Sequence, residues 1–489
     1  MQSRRDQIQA YSFVVGRLNS GVLRVDLDSP DQPISRTNRG MTTGLVCAAL
    51  VAVVIAIYGF IVPGGNTSWE QPGAFVIVKD SGARFLYADG ELHPVLNMAS
   101  AKLLAGSQMS MHTVSAASLA GARRGAPLGI VGAPDALPPT SELSKDDWSV
   151  CGLPLADGAT TGAPTVVMRL GMPTPGVGLT DDQAVLTTVS GGKRYLLWHG
   201  RRLAIGSKYR EAQALGYDTT TPVLVSAAFL DSVPSGPDLA TPAVPGLGQP
   251  GPQLAGAPTR VGQLFSDATN HHYLLSRDGL EPLTATLFTL FRGAPQVQES
   301  AYGGGAVQVR AIGPSDLAQH TAGAASVAQL TTAGSLLPSA PPHITTAGTG
   351  QALCVGLHSR NNAVTSSLRV APVDSVQADV LPPTTGIGIS PSCHPASLVA
   401  ITPGSGMLVG SAPVGGGPAI TSYLVTDNGV KYPIASSGVL AQLGYASTES
   451  VTLPSTVLSL LPTGPSLDPG ALAHGGAVTP KLSEQTCRE

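Results

Sequence analysis

Reactive side chains are scarce in this sequence, and their spacing argues against a catalytic centre. His271 and His272 are the one adjacent pair among ten histidines. Neighbours in a strand point to opposite faces, so the pair is poorly placed to share a metal ion. Asp146-Asp147 and Asp181-Asp182 read as solvated loop acids rather than as a general acid–base dyad. Gly192-Lys193 has the dipeptide of a phosphate-binding loop. It lacks the upstream glycine and the following hydroxyl residue, so no backbone cradle forms around a phosphate. The patterns G-x-S-x-G, H-E-x-x-H and C-x-x-C do not occur. The expectation leans to a non-catalytic body with no cofactor and no metal.

Cysteine is the remaining reactive type. Cys47 lies in an apolar run and reads as a small filler. Cys151, Cys354, Cys393 and Cys487 fall in the remainder, expected to lie in an oxidising space where disulfides persist. Four cysteines permit three pairings, and composition does not choose among them. Trp148-Ser149-Val150-Cys151 and Ala352-Leu353-Cys354-Val355 both read as strands. Were their cysteines bonded, the two segments would form one domain, with Cys393 and Cys487 left as a second bridge or as free thiols.

The element that positions everything else is the apolar run 42–62. It contains no charged residue and stops at Pro63-Gly64-Gly65. A bilayer core needs about 20 apolar helical residues. A cleaved leader has a shorter apolar region of ~7–15 residues followed by a small-residue cleavage site. Run 42–62 is longer and has no such site after it, so it reads as an uncleaved anchor. Arg36 and Arg39 flank it on the N-terminal side and no base follows until Lys79. The basic flank stays inside, which puts about forty residues in the cytoplasm and about 427 beyond the membrane. In segment 1–41, Ile8, Tyr11, Val15 and Leu18 recur at helical spacing beside Arg4, Arg5 and Arg17. Asn19-Ser20-Gly21 is expected to end that helix.

Beyond the anchor the chain repeats. Phe75-Val76-Ile77-Val78, Arg84-Phe85-Leu86 and Leu92-His93-Pro94-Val95, separated by two turn signals, predict a three-stranded meander. A helix follows from Asn97. Gly192, Arg194, Tyr195, Leu196 and Gly200 match Gly82, Arg84, Phe85, Leu86 and Gly90 without a gap. Asn270 to Gly279 gives a third copy, and Asn428-Gly429-Val430-Lys431-Tyr432 a fourth. Leu215-Gly216-Tyr217 and Leu443-Gly444-Tyr445 each precede a Pro-x-Gly-Pro by the same interval. The predicted order is cytoplasmic segment 1–41, transmembrane helix 42–62 and repeat 63–106, then central-domain part 107–180, repeat 181–242 and Pro/Gly-rich linker 243–260. Repeat 261–293, central-domain part 294–415, repeat 416–469 and a poorly ordered tail 470–489 complete it. The fold class is thus a single-pass membrane protein with an elongated, β-rich α+β body of four degenerate repeats and a central β-rich domain. Only 12% of residues are charged and the net charge is −3, so no basic face points to nucleic acid.

These features together resemble the EccB family of the actinobacterial type VII (ESX) secretion system. The resemblance covers nearly the whole chain. It is carried by Arg5-Asp6-Gln7-Ile8-Gln9-Ala10-Tyr11-Ser12-Phe13, by the stretch from Leu92 to Leu103, by Gly129-Ile130-Val131-Gly132-Ala133-Pro134 and by Gly464-Pro465-Ser466-Leu467. It implies a bridge between Cys151 and Cys354, and a structural role in the inner-membrane core with the N-terminus inside. It also implies self-association, and partners of the EccC (FtsK/SpoIIIE-type ATPase), EccD, EccE and mycosin protease kinds. Arg5, Gln7, Tyr11, Phe13 and Arg17 are the implied partner-contact residues. The family also carries an ATPase label, which makes an extracytoplasmic nucleotide hydrolase the rival reading; a cell-wall-binding membrane protein is a further one.

Overall fold

The computed structural model describes residues 4–24, 33–61, 67–145, 147–155, 164–323, 336–348, 350–360, 363–413, 418–473 and 475–479. The chain divides into two compact units. One holds residues 1–70, 76–83 and 112–122; the other holds 71–75, 84–111 and 123–489.

Helix α1 spans Arg4–Arg24 and α2 spans Pro33–Ile61. Asn19-Ser20-Gly21 does not end α1 as the sequence suggested. Each of these residues costs a helix interior only about 0.5–1 kcal/mol, and Val22 extends the Leu18 row by one turn. Helix α2 begins nine residues before the apolar run, because Pro33 suits a first helical position and nothing up to Met41 breaks the helix. Arg36 and Arg39 therefore ride on the same helix as the apolar stretch. Its span Thr37–Gly59 has a mean hydropathy of 2.4 and is wholly unburied; its 23 residues reach about 35 Å at 1.5 Å each, enough to cross a bilayer core. Val62 and the Pro63-Gly64-Gly65 stop lie outside the described residues, as do Asp26, Asp28 and Asp31.

The remainder is a β-rich mixture of strands and short helices. Strands β1 (Ala74–Val78), β2 (Arg84–Ala88) and β3 (Glu91–Pro94) are followed by α3 (Met98–Ala105) and β4 (Ser110–Val114). Lys79 N–H donates to Val114 O at 2.9 Å beside the β1 end. The same succession recurs in β9 (Gln183–Thr188), β10 (Arg194–Trp198), β11 (Arg201–Ala204), α4 (Glu211–Ala214) and β12 (Val223–Leu224). It recurs again in β13 (Leu264–Ser266), β14 (His272–Ser276), β15 (Gly279–Leu283), α6 (Ala285–Gly293) and β16 (Arg310–Ala311). The last set is β21 (Gly406–Ala412), β22 (Thr421–Thr426), β23 (Lys431–Ile434), the helix Ser437–Leu443 and β24 (Ser450–Pro454). The latter three sheets run β11-β10-β9-β12, β15-β14-β13-β16 and β23-β22-β21-β24. In each the strand after the helix returns parallel to the first.

These closing strands move the expected boundaries. The cuts at 106 and 293 fall before the closing strands β4 and β16, and the cut at 415 falls after the opening strand β21 of the last set. A two-residue strand such as β16 has too few positions to show a period. The register of the last set also differs from the sequence alignment. Asn428-Gly429 joins β22 to β23, as Asp89-Gly90 joins β2 to β3 and His199-Gly200 joins β10 to β11. Asp89, Gly90, His199 and Gly200 all have positive φ, the geometry that matches hairpin twist. Lys431-Tyr432 therefore belongs to a third strand. The aromatic aligned with Phe85 and Tyr195 is Tyr423, and Ser422 stands where the others carry a base.

A six-stranded sheet joins the two central segments in the order β20-β7-β6-β18-β19-β8. Its strands are β6 (Trp148–Gly152), β7 (Val166–Leu170), β8 (Val177–Gly178), β18 (Gln351–Arg360), β19 (Ala363–Pro372) and β20 (Leu398–Ile401). One core includes Trp148, Met168 and Val355 of this sheet, Phe229 of α5 (Ala227–Ser232), Val409 and Val457. The Pro/Gly-rich stretch 243–260, expected as a linker, packs into the body. Leu254 is fully buried, and Gly248 N–H and Gly251 N–H bond to Val261 O and Thr259 O. Its turns let the chain fold back on itself, which composition alone does not reveal. In the tail, Leu472 is buried and β25 (Ala477–Val478) pairs with β5 (Gly129–Ile130); 480–489 lie outside the described residues.

The helices pair out of sequence order. Ala99 and Leu103 of α3 share a core with Leu440 and Leu443, whereas Leu215, after α4, shares one with Leu287 and Leu290 of α6. Gly216 and Gly444 hold the left-handed conformation after their helices, which a Cβ disfavours. Each turns a tyrosine inward: Tyr217 Oη donates to Pro342 O at 2.9 Å and Tyr445 Oη to Pro138 O at 2.7 Å. Both tyrosines and both prolines are buried. Tyr217→Phe or Tyr445→Phe is expected to cost about 1–2 kcal/mol, because a buried carbonyl loses its donor. Thermal melts of the two single variants check this.

Candidate functional site

Three features stand out, and none has the form of an active centre. The first is the N-terminal pair of helices. On α1, Ile8, Tyr11, Leu18 and Val22 are exposed along one face. Phe13 is exposed elsewhere on the helix, with the Arg17 guanidinium 5.6 Å from its ring centre. Arg5 and Gln7 are also exposed. At the start of the span, Thr42 Oγ1 donates back to Asn38 O at 2.8 Å, so its hydroxyl is satisfied within the helix. Arg39 is exposed, and the Arg36 side chain lies outside the described residues.

The second feature is the cross-link in the central sheet. Register places Cys151 of β6 directly opposite Cys354 of β18, and the sulfurs are 2.07 Å apart. Both residues are fully buried, among Leu153, Val167, Ala352, Ala371 and Val376. Cys393 is also engaged in a bond, and Cys487 lies outside the described residues.

The third is Lys431, which the sequence places in the fourth repeat copy. It is 6% exposed, and its Nζ donates to Leu458 O at 2.7 Å and Leu461 O at 2.6 Å. These carbonyls end the helix Ser455–Leu458 and the turn after it; Leu458 O also accepts from Leu461 N–H at 3.2 Å, and the ammonium adds a charged donor at that helix end. Burial pulls its pKa down to about 8. A third-strand lysine has no local signature of burial, and only its register could have disclosed it.

The remaining candidates separate. His271 Nδ1 lies 3.3 Å from Asp267 Oδ2, whereas the His272 ring stacks on Phe288 at 3.6 Å. Asp181 O accepts from Trp198 Nε1 at 2.8 Å, and Asp182 Oδ1 accepts from Thr180 Oγ1 at 2.6 Å. Lys193 Nζ sits 5.3 Å from the Tyr195 ring centre. Asp147 is not free in a loop but bonds His358; Asp146 lies outside the described residues. Among the described residues no three His, Cys, Asp or Glu side chains gather as a metal site.

Comparison with known proteins gives a consistent result. The profile of the family described as "Type VII secretion system ESX-1, transport TM domain B", EccB, matches residues 1–478. The "ESX-3 secretion system ATPase EccB3" of Mycolicibacterium smegmatis is 29% identical, across 97% of this chain and 91% of that protein. Among solved structures, the EccB3 dimer from the ESX-3 core complex is 26% identical with a TM-score of 0.62, covering 81% of this chain and 98% of that one. A chain of an intact ESX-5 inner membrane complex covers 99% of this chain and 98% of its own length. Its TM-score is 0.64 at 22% identity, a likeness of fold.

Proposed function

Because this chain belongs to the EccB family of type VII (ESX) secretion systems, we propose that it is a structural subunit of the secretion machine's membrane core. The observation that carries the reading is the wholly unburied span Thr37–Gly59, joined to a β-rich body. Arg36 and Arg39 on the N-terminal side favour an inward-facing N-terminus in the cytoplasmic membrane, with the body outside. The four sets of like strand order are four copies of one unit, and the six-stranded sheet is the domain inserted among them. Self-association fits a relative solved as a dimer.

Helix α1 is the inner contact, through Arg5, Gln7, Tyr11, Phe13 and Arg17, for an EccC-type motor ATPase and an EccD-type membrane subunit. The body meets EccE-type and mycosin-type partners. Deleting residues 4–24 leaves α2 and its arginines in place. It is expected to lower recovery of the motor subunit at least tenfold in detergent pull-downs, with the thermal midpoint of the body unchanged. Undiminished recovery would remove α1 from the interface.

The ATPase wording in the relatives' names favours a second reading. The sequence has no G-x-x-x-x-G-K-[ST] loop, which speaks for a scaffold. Full-length protein in detergent, incubated with ATP and magnesium, decides between them. Phosphate release that persists in constant proportion to protein through successive purification steps supports the hydrolase.

A further inference from the structure

The face of the central sheet that carries the disulfide continues into a line of polar residues. Ser149 of β6 lies opposite Gly356 of β18, and Gly356 lies opposite Ser367 of β19. His358, two residues beyond Gly356, shares that face. Its Nδ1 is 2.6 Å from Asp147 Oδ1, just before β6, and its Nε2 is 3.4 Å from Ser367 Oγ. Asp147 and His358 are each about one-third exposed, so solvent reaches the line.

The surroundings hold hydroxyls with nothing to bond. A Cβ at Gly356 would lie 2.5 Å from Thr174 Oγ1 and 3.0 Å from Ser367 Oγ, so both groups crowd over the bare glycine. Thr174 Oγ1 and Ser149 Oγ are buried without a hydrogen-bond partner among the described residues, and Ser149 is fully buried. A purely structural strap would saturate such groups, since each one left unpaired costs about 1–3 kcal/mol. Idle donors beside a Ser–His–Asp line are instead what a developing oxyanion requires.

We propose that Ser367, His358 and Asp147 form a nucleophile, base and orienting acid that act on acyl esters. Asp147 accepts from His358 Nδ1–H and so leaves Nε2 as the acceptor. Ser367 Oγ bonds to the ester carbonyl carbon while its proton passes to His358 Nε2. Thr174 Oγ1–H donates to the oxygen that gains charge. The carbon–oxygen bond to the leaving alcohol then breaks, and that alcohol takes the proton from His358. Water repeats the sequence to release the acid and restore Ser367. No local motif announces the set, because its members lie at 147, 358 and 367.

The test uses full-length protein in detergent and a fluorophosphonate probe, in which Ser367 Oγ would bond phosphorus as fluoride leaves. Peptide mapping of the wild type is expected to place the adduct on Ser367. Ser367→Ala abolishes it, and His358→Gln slows labelling about 100-fold with the thermal midpoint unchanged. Asp147 is the positioning residue: Asp147→Asn slows labelling, and Asp147→Glu recovers part of the rate, which a merely structural carboxylate would not do. Hydrolysis of p-nitrophenyl acetate should fall in the same order. A folded wild type with no adduct on Ser367 overturns the proposal whether or not the variants fold. So does wild-type labelling in His358→Gln.

Discussion

Replacing Cys151 or Cys354 by serine should lower the stability of the β-rich body by about 2–4 kcal/mol. The bridge spans a sequence separation of 203 residues. Chain entropy alone assigns a loop of that size about 5 kcal/mol, and measured bridges deliver somewhat less. Both positions are fully buried in an apolar cluster, so each serine also leaves a hydroxyl there without a designed partner. The loss should appear in the melting of the central sheet, because β6 and β18 are adjacent within it. The two single variants should melt alike, since either one removes the same bond. Melting midpoints equal to the wild type in both would refute the assignment.

Raising the pH from 7 to 10 should stabilise the same body through Lys431. Its folded pKa of about 8 lies below the ordinary value of 10.5. Between those values the native chain holds fewer protons than the unfolded one, so stability grows with pH. This contribution is full above pH 10.5 and is lost as pH falls through 8. The shift corresponds to roughly 3 kcal/mol. Tyr217 and Tyr445 act in the opposite sense. Burial holds their pKa values well above the usual tyrosine range, so the unfolded chain ionises first and stability falls above pH 10. The rise is therefore confined to about pH 8–10. Denaturant titrations at pH 7, 8, 9 and 10 should show it in the wild type and not in Lys431→Met. Parallel curves for the two chains would show that Lys431 is not the source.

Much of this molecule was legible because its signals are local. The charge-free run 42–62 predicts the span on α2, since length and apolarity alone decide whether a helix can cross a bilayer. The Asp89-Gly90 and Asn428-Gly429 pairs mark hairpins because Asp89, Gly90 and Gly429 take a positive φ that few other residues tolerate. Leu215-Gly216-Tyr217 and Leu443-Gly444-Tyr445 end helices for the same kind of reason. The β-rich sets therefore followed from turns and alternation, with errors where a signal was short or altered: the two-residue closing strands, and Ser422 in place of a base.

Other features depended on residues far apart in the chain. Nothing near Lys431 says that Leu458 and Leu461 will turn their carbonyls toward it. Nothing in the Pro/Gly-rich stretch 243–260 says that Leu254 will be buried. The pairing of α3 with the helix Ser437–Leu443, and of α4 with α6, is chosen by the fit of buried faces. So is the alignment of Asp147, just before β6, with His358 of β18 and Ser367 of β19. The sequence by itself determined the apolar span, the turns and the kinds of element, because those follow from short-range sterics and hydrophobicity. Only the tertiary structure decided which faces meet, because that depends on complementary shape and hydrogen bonding between segments hundreds of residues apart.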